Sequence, residues 1–253
     1  MRKILKENER IDDLQINNLK IIQNTDGFCF GIDSVILSSF VEKTRKKEVV
    51  VDLGTGTGII SFLLSAKIQP SKIYGVEIQE EVADMVKRSI QLNNLEDKFE
   101  VINCNIKNIE KYIGKSTVDI VVTNPPYKKD NTGGKNINEK KLISRHEISA
   151  DIYDFINASS KVLKDKGILY MVHRPERLAE IMVGMKQYKM EPKIIRFVYS
   201  KKESESAKLV LIKAVKNGGE FLKIEKPLYI YDEDGNYTQE ILDIYNSNDK
   251  EEK

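Results

Sequence analysis

The sequence is poor in the residues that build disulfide frameworks and metal centres. Its 253 residues include two cysteines, Cys29 and Cys104, and two histidines, His146 and His173. These four are scattered singly, without the C-x-x-C spacing that zinc sites use, so we expect no metal. Two isolated cysteines fit a reducing compartment, and we expect a cytoplasmic protein.

Long apolar runs are also missing. No stretch is long enough to span a bilayer, and the start, MRKILKENERIDDL, lacks the apolar core of a signal peptide, so we expect no membrane partner. The formal net charge is only +2, which by itself does not establish nucleic-acid binding, so local charge must carry that argument. The length suits one large domain with small additions, and we expect a monomer.

Apolar strand patterns alternate with helical ones through most of the chain. This rhythm predicts an α/β fold with a doubly wound, mostly parallel, seven-stranded, Rossmann-like sheet. Two final strands, 192–199 and 207–213, have no helix between them and should pair antiparallel at one edge. We divide the chain into an N-terminal extension of a short hairpin and a helix (1–47), a main domain (48–218) and a C-terminal segment (219–253), whose end should be disordered.

The main domain is organised around VVVDLGTGTGII, residues 49–60. The pattern predicts a buried strand, a glycine-rich turn and a helix whose free N–H groups point at a ligand. Gly54, Gly56 and Gly58 are spaced G-x-G-x-G, unlike the G-x-G-x-x-G of dinucleotide-binding proteins. Asp52 ends the strand, where it could hold a charged or water-bound amino-acid end of the ligand. Glu77 lies roughly 20 residues beyond the glycines, where an acid would bind ribose hydroxyls.

A second buried strand pattern leads into Asn-Pro-Pro-Tyr, residues 124–127. The side-chain oxygen of Asn124 and the carbonyl of Pro125 are acceptors that can face one incoming N–H2 group. Accepting both hydrogens localises the lone pair on an amide or aromatic amine nitrogen and orients it for methyl transfer. Tyr127 offers a ring face on which a planar base can stack.

These motifs resemble the class I S-adenosylmethionine (SAM) methyltransferases of the Asn-Pro-Pro-Tyr type. Within that group the chain is most similar to the bacterial tRNA1(Val) adenine-N6 methyltransferase family, through FCFGIDSVILSSF, NPPY with its basic loop, SRHE, HRPERL and KLVLIKAVKNG. The resemblance covers about residues 28–216. It implies SAM as cofactor, S-adenosylhomocysteine as product, tRNA as partner and adenosine 37 as target.

Three groups of candidate site residues follow. The catalytic candidates are Asn124, Pro125, Pro126 and Tyr127. The cofactor candidates are Asp52, Gly54, Thr55, Gly56, Gly58, Glu77, Ile78, Asn105, Ile106, Phe30 and Asp33. The substrate or RNA candidates are Lys128, Lys129, Lys135, Arg145, His146 and Arg174. Asn105 stands where many relatives carry an acid that binds the adenine amino group, and it can equally cap the helix that follows.

Other functions stay open at this point. The same amide chemistry serves protein glutamine N5-methyltransferases of release-factor type, although that family carries a helical recognition domain before the SAM loop. A DNA amino-methyltransferase would usually need a separate recognition domain. An RNA-binding module without catalysis has no chemical need for Asn124, and a nicotinamide dehydrogenase requires a different glycine spacing.

Overall fold

The computed structural model describes residues 4–25, 31–44, 47–127 and 150–246. Several predictions concern residues outside these ranges. They are the roles of Phe30, Lys128, Lys129, Lys135, Arg145 and His146 and the order of residues 247–253.

Strands and helices alternate through the main part of the chain. The strands are β1 Glu9–Asp13, β2 Lys20–Asn24, β3 Val49–Leu53, β4 Lys72–Glu77, β5 Phe99–Asn103, β6 Val118–Thr123, β7 Leu163–His173, β8 Met190–Tyr199, β9 Leu209–Lys216, β10 Lys223–Ile224 and β11 Leu228–Tyr229. The helices are α1 Ile32–Phe40, α2 Ile59–Lys67, α3 Glu80–Leu92, α4 Glu110–Ile113, α5 Ile152–Val162, α6 Leu178–Gln187 and α7 Gln239–Asn246. Short 3-10 turns lie at Ile106–Asn108 and Pro175–Arg177.

The central sheet has nine strands in the described part of the chain. Their order is β10-β8-β9-β7-β6-β3-β4-β5, and β11 also pairs with β8. Strands β3 to β7 are parallel, whereas β9 runs antiparallel between β7 and β8. The predicted α/β fold and the antiparallel edge are therefore confirmed. The sheet has two strands more than the predicted seven, because β10 and β11 are two-residue strands, too short to produce an alternating pattern.

Each face of the sheet carries its own apolar core. Val50 and Ile120 point to the face covered by α1, α2 and α3, whereas Val51 and Val121 point to the face covered by α5 and α6. Because successive side chains of a strand alternate between faces, a strand buried on both faces must be apolar throughout. This explains the unbroken valine runs of β3 and β6.

Strands β3 and β6 lie side by side at the centre of the sheet. Their last residues, Leu53 and Thr123, are register partners, and Thr123 Oγ1 donates to the Leu53 carbonyl at 2.8 Å. From β3 the chain builds β4 and β5 on one side and then returns to β6 on the other, so this is the switch point at which open α/β sheets bind ligands. The geometry brings Gly54 and Asn124 together just beyond the two strand ends.

An N-terminal hairpin packs against α3. Strands β1 and β2 pair antiparallel, and the connection includes Asn17 and Asn18, which adopt the left-handed backbone that a tight connection needs. Arg88 of α3 donates to both carboxylate oxygens of Glu9, at 2.6 and 2.7 Å, and to Asp84 at 3.0 Å. The side chains of Arg88 and Glu9 are only 11% and 7% exposed, so this ion pair fixes the hairpin on the domain.

The described residues contain neither a membrane-spanning helix nor a metal-binding cluster. No helix there combines the length and apolar character needed to cross a membrane. In the same ranges, His, Cys, Asp and Glu side chains nowhere gather in groups of three that could hold a metal ion.

We predict that Arg88→Met destabilises the protein by about 2–4 kcal/mol at pH 7, because it removes the ion-pair partner of the poorly exposed Glu9 carboxylate and leaves it the Lys6 backbone N–H as a donor. The hydrogen bond from Arg88 holds the pKa of Glu9 below its usual value. The stabilisation is therefore present above the ordinary carboxyl pKa and is lost as the pH falls through the lowered one. Urea unfolding should show a loss that shrinks below about pH 4.

The matched control is Lys223→Met, which removes a pair with Glu225 whose lysine side chain is 70% exposed. It should change the unfolding free energy by less than about 0.5 kcal/mol. Equal losses in the two variants would contradict the role given to Arg88.

Candidate active site

The glycine-rich turn after β3 needs backbone that only glycine adopts readily. Gly54, Gly56 and Gly58 have φ values of 74°, 55° and 85°. The N–H groups of Gly54 and Thr55 both donate to the Val76 carbonyl at 2.9 Å, which ties the turn to β4. A Cβ at Gly56 would meet nothing within 4 Å, whereas one at Gly58 would lie 3.0 Å from the Phe62 ring. Gly56 therefore faces open space, and Gly58 allows the close packing of α2.

Asp52 is fully buried at the end of β3. Its Oδ2 accepts hydrogen bonds from Thr55 Oγ1 at 2.7 Å and Ser61 Oγ at 2.9 Å. Its Oδ1 is buried and has no hydrogen-bond partner among the described residues. Burial raises the pKa of Asp52 to about 6, the charge of Glu77 adds to this effect, and the two hydroxyl donors oppose it. Oδ1 is an acceptor in need of a donor.

Glu77 ends β4 beside the same turn. Its Oε2 accepts from the Gly56 N–H at 3.0 Å and its Oε1 from the Gln79 N–H at 2.9 Å. Asn103 Nδ2 donates to the carbonyls of Glu77 and Ile78, at 2.8 and 3.1 Å. A carboxylate has about four acceptor positions, so Glu77 can still accept from ligand hydroxyls while it holds the turn.

A first cleft of about 660 Å³ opens over the turn. Four predicted cofactor residues line it, and so does one catalytic candidate: Asp33, Gly54, Thr55, Gly56 and Asn124. Other walls were not anticipated from the sequence. They come from the hairpin region (Lys6, Glu7, Glu9 and Asn24) and from the start of α3 (Gln79, Glu81, Val82 and Met85). The charged members of this set have the sequence pattern of solvated surface, so only the fold reveals their place in the cleft.

Asn-Pro-Pro-Tyr follows β6 and meets the beginning of α1. Asp33 Oδ2 accepts from Asn124 Nδ2 at 3.2 Å and from the Tyr127 hydroxyl at 2.7 Å. Pro125 is buried and Pro126 is exposed. The two ends of the motif are thus fixed by one carboxylate, while its middle is stiffened by two prolines.

The Tyr127 ring lies among basic and aromatic groups. The Arg174 guanidinium lies over the ring, 5.1 Å from its centroid, and His173 packs edge-on at 5.2 Å. Burial, together with the negative charge of Asp33, raises the pKa of Tyr127 above its ordinary value, so the phenol stays protonated. Burial also lowers the pKa of His173 to about 4, which leaves its imidazole neutral at pH 7.

A second cleft of about 710 Å³ lies on the other side of Asn-Pro-Pro-Tyr. Its walls are Asp33, Asn124, Pro125, Pro126, Tyr127, Arg174, Glu176 and Arg177. Asp33 and Asn124 line both clefts. The arrangement provides two binding spaces that meet at one amide side chain, as a group transfer between two ligands requires.

Six predicted cofactor residues lie outside the walls of both clefts: Asp52, Gly58 and Glu77, which lie at the glycine-rich turn, and Ile78, Asn105 and Ile106. Asn105 Oδ1 accepts from the Lys107 N–H at 3.0 Å and caps the 3-10 turn. This is the capping role that the sequence also allowed for Asn105. Ile106 is buried in the core beside α5, and Ile78 is partly exposed after β4. Their contacts with a cofactor stay predictions.

The family model and the relatives that match this chain are all methyltransferases. A model of the family described as "Methyltransferase small domain" matches residues 30–190. A Porphyromonas gingivalis protein named tRNA1(Val) (adenine(37)-N6)-methyltransferase is 23% identical over 165 residues, covering 63% of this chain and 64% of its own length. This chain thus matches just under two thirds of that relative. A Flavobacterium johnsoniae protein of the same name is 22% identical over 232 residues, covering 91% of this chain and 96% of its own length.

Solved structures agree on the fold. A predicted O-methyltransferase from Agrobacterium tumefaciens superposes with a TM-score of 0.69 at 20% identity, covering 85% of this chain and 96% of that one. The structure of M. jannaschii TYW2 in complex with AdoMet gives a TM-score of 0.56 at 17% identity, covering 83% of this chain and 87% of that one. At these identities the likeness concerns the fold alone.

The buried Asp52 generates a prediction for the ligand-free protein. Its pKa is higher in the folded than in the unfolded state, so the folded state binds more protons between about pH 4 and pH 6. Stability should fall as the pH rises through this window, and the loss should persist above it. We expect Asp52→Asn to flatten this slope and to raise the unfolding free energy at pH 7.5 by on the order of 1–2 kcal/mol. Urea unfolding across the pH range measures both.

Asp97→Asn changes an exposed acid before β5 and is the matched control. It should keep the wild-type pH slope. A slope retained in Asp52→Asn would show that the buried carboxylate does not cause it.

Proposed function

Since the chain belongs to the methyltransferase small domain family, it is a SAM-dependent methyltransferase, and we propose that its methyl acceptor is the exocyclic N6 amine of an adenine in tRNA. Adenosine 37 of the anticodon loop is the proposed nucleoside, and the cytoplasm the proposed compartment. The names of relatives at 22–28% identity support this choice of substrate.

The residues around the first cleft fit SAM. The buried Asp52 Oδ1 needs a donor, Gly56 leaves open space, and Glu77 can accept from a ribose. These groups suit a ligand with a cationic amino-acid end and a nucleoside end, and the cleft volume suits a molecule of that size. When bound, SAM supplies a methyl group activated by a sulfonium.

The position of Asn124 is the observation that carries the proposal. It lies on the wall shared by the two clefts, and its amide nitrogen is engaged by Asp33. The amide oxygen is thereby turned the other way, as an acceptor. An acceptor oxygen at the junction of two clefts suits a substrate that presents an N–H2 group.

The Asn-Pro-Pro-Tyr motif can activate an amine as the nucleophile without a strong base. Asn124 Oδ1 and the Pro125 carbonyl accept the two hydrogens of the amine and orient its lone pair. The acceptor nitrogen gains the methyl group and afterwards loses one proton to water. Burial lowers the pKa of the neighbouring His173 to about 4, so its imidazole is only a weak base.

A base extruded from an RNA loop fits the second cleft. Tyr127 presents its ring there, and the Arg174 guanidinium already lies over that ring. Loop bases are partly unstacked, so extruding one costs less than opening a duplex. Arg174 would then contact the base or a flanking phosphate.

The test of substrate class is methyl transfer from radiolabelled SAM to bulk tRNA that lacks this protein's modification. After digestion, the label should appear in N6-methyladenosine. Label in another nucleoside would contradict the adenine assignment. A protein that binds SAM but labels only a protein glutamine would favour the rival of release-factor type, and one that labels no substrate would favour the non-catalytic RNA-binding module.

We predict that Asn124→Ala lowers turnover by about 100-fold or more, because an oriented hydrogen bond to the reacting nitrogen is lost. SAM affinity, measured by calorimetry, should stay within about threefold of wild type, since the glycine-rich turn is unchanged. Asn108→Ala, at an exposed asparagine of the 3-10 turn, is the matched control and should keep wild-type turnover. Unchanged turnover in Asn124→Ala would remove this residue from the mechanism.

A further inference from the structure

We propose that Asp33 is a positioning residue that sets the direction of the Asn124 amide and holds the Tyr127 hydroxyl, and that it is not a cofactor ligand. The inference rests on the proposed function, since it concerns a substrate that presents an N–H2 group. It replaces the expectation, drawn from the sequence, that Asp33 binds the cofactor.

The contacts define what Asp33 can do. Its Oδ2 accepts from Asn124 Nδ2 at 3.2 Å and from the Tyr127 hydroxyl at 2.7 Å. A carboxylate only accepts hydrogen bonds, so the group of Asn124 that faces it must be the N–H2 end. The two ends of a carboxamide have nearly the same shape, and without a carboxylate neighbour either could face the substrate.

The direction of the amide decides whether the substrate can bind productively. With Asp33 in place, Asn124 presents its oxygen, which accepts from an amine. With the amide turned over, two N–H2 groups would face each other and no hydrogen bond could form between them. The same carboxylate also accepts the hydrogen bond of the Tyr127 hydroxyl. Tyr127 therefore presents its ring face, and not its hydroxyl, to a base.

The carboxylate is itself held in place. Asp33 is the second residue of α1, and its Oδ1 accepts from the Ser34 N–H at 3.1 Å. A Cβ at Gly31 would lie 2.4 Å from Oδ1. Gly31 has a φ of −93°, which any residue adopts, so a glycine is needed here for space and not for backbone conformation.

The charge of Asp33 has a second effect. The acceptor nitrogen becomes cationic as it gains the methyl group, and a carboxylate directly behind Asn124 stabilises that developing charge. Asp33 lines both clefts and is only partly buried, so it acts close to the point where they meet.

A double-mutant cycle tests the assignment. Asp33→Ala should lower turnover on tRNA roughly 10- to 100-fold and leave the SAM dissociation constant within about threefold of wild type. The double variant Asp33→Ala/Asn124→Ala should be slower than Asn124→Ala alone by much less than the loss seen in Asp33→Ala, because Asp33 acts mainly through Asn124. Asp97→Asn, at an exposed position, controls for the loss of an acid. A tenfold weaker SAM affinity in Asp33→Ala, or full additivity with Asn124→Ala, would overturn the proposal.

Gly31→Ala is the second variant. Because its Cβ would displace the carboxylate, turnover should fall as in Asp33→Ala, while thermal stability stays near that of wild type. In the Asp33→Ala background the same change should cost nothing further. A Gly31→Ala enzyme with full turnover would overturn the proposal, since turnover would then not depend on the position of the Asp33 carboxylate.

A spectroscopic measurement separates this inference from the proposed function. In protein labelled with ¹⁵N at asparagine, the side-chain N–H2 signals of Asn124 are assigned by their loss in Asn124→Ala. One of its protons should be shifted downfield by the carboxylate in wild type, and this shift should vanish in Asp33→Ala. Absence of methyl transfer to tRNA would refute the proposed function while this measurement still tests Asp33. Identical Asn124 signals in both proteins would refute the inference even where tRNA is methylated.

Discussion

The side-by-side pairing of β3 and β6 is the constraint on which the rest of the site depends. Because Leu53 and Thr123 are register partners, the glycine-rich turn and Asn-Pro-Pro-Tyr begin at the same edge of the sheet. A one-residue slip would turn every side chain of one strand to the opposite face and would misplace both loops, so the packing of both faces holds this register. The distance between two sequence motifs some 70 residues apart is thereby set by strand pairing.

Three carboxylates lie at the glycine-rich turn and the Asn-Pro-Pro-Tyr motif, and each is used differently. Asp52 is fully buried with one oxygen unpartnered, which costs stability in the ligand-free protein and provides an acceptor for a ligand. Glu77 fixes the turn through backbone N–H groups and keeps acceptor capacity. Asp33 engages the side chains of Asn124 and Tyr127. The site thus combines a cofactor side that has one unpartnered carboxylate oxygen with an acceptor side on which one carboxylate holds both Asn124 and Tyr127.

Local patterns predicted much of this arrangement. The valine runs, the glycine spacing and Asn-Pro-Pro-Tyr each have a short-range signature, so the sheet and its motifs could be foreseen. The contact of Asp33 with Asn124 joins residues 91 positions apart and has no such signature. The hairpin wall around Glu9 resembles solvated surface, and its place in the first cleft depends on the buried pair with Arg88. Likewise, β10 and β11 are too short for any periodicity to appear.

The most direct test of the account is a crystal structure of the protein with S-adenosylhomocysteine. The account predicts the ligand in the first cleft, with its amino-acid end by the turn after β3, its ribose hydroxyls on Glu77 and its sulfur facing Asn124. Asp33 should still accept from Asn124 Nδ2 and from Tyr127. A ligand whose sulfur points away from Asn124, or whose binding breaks the contact between Asp33 and Asn124, would contradict the claim that the two clefts meet at this amide.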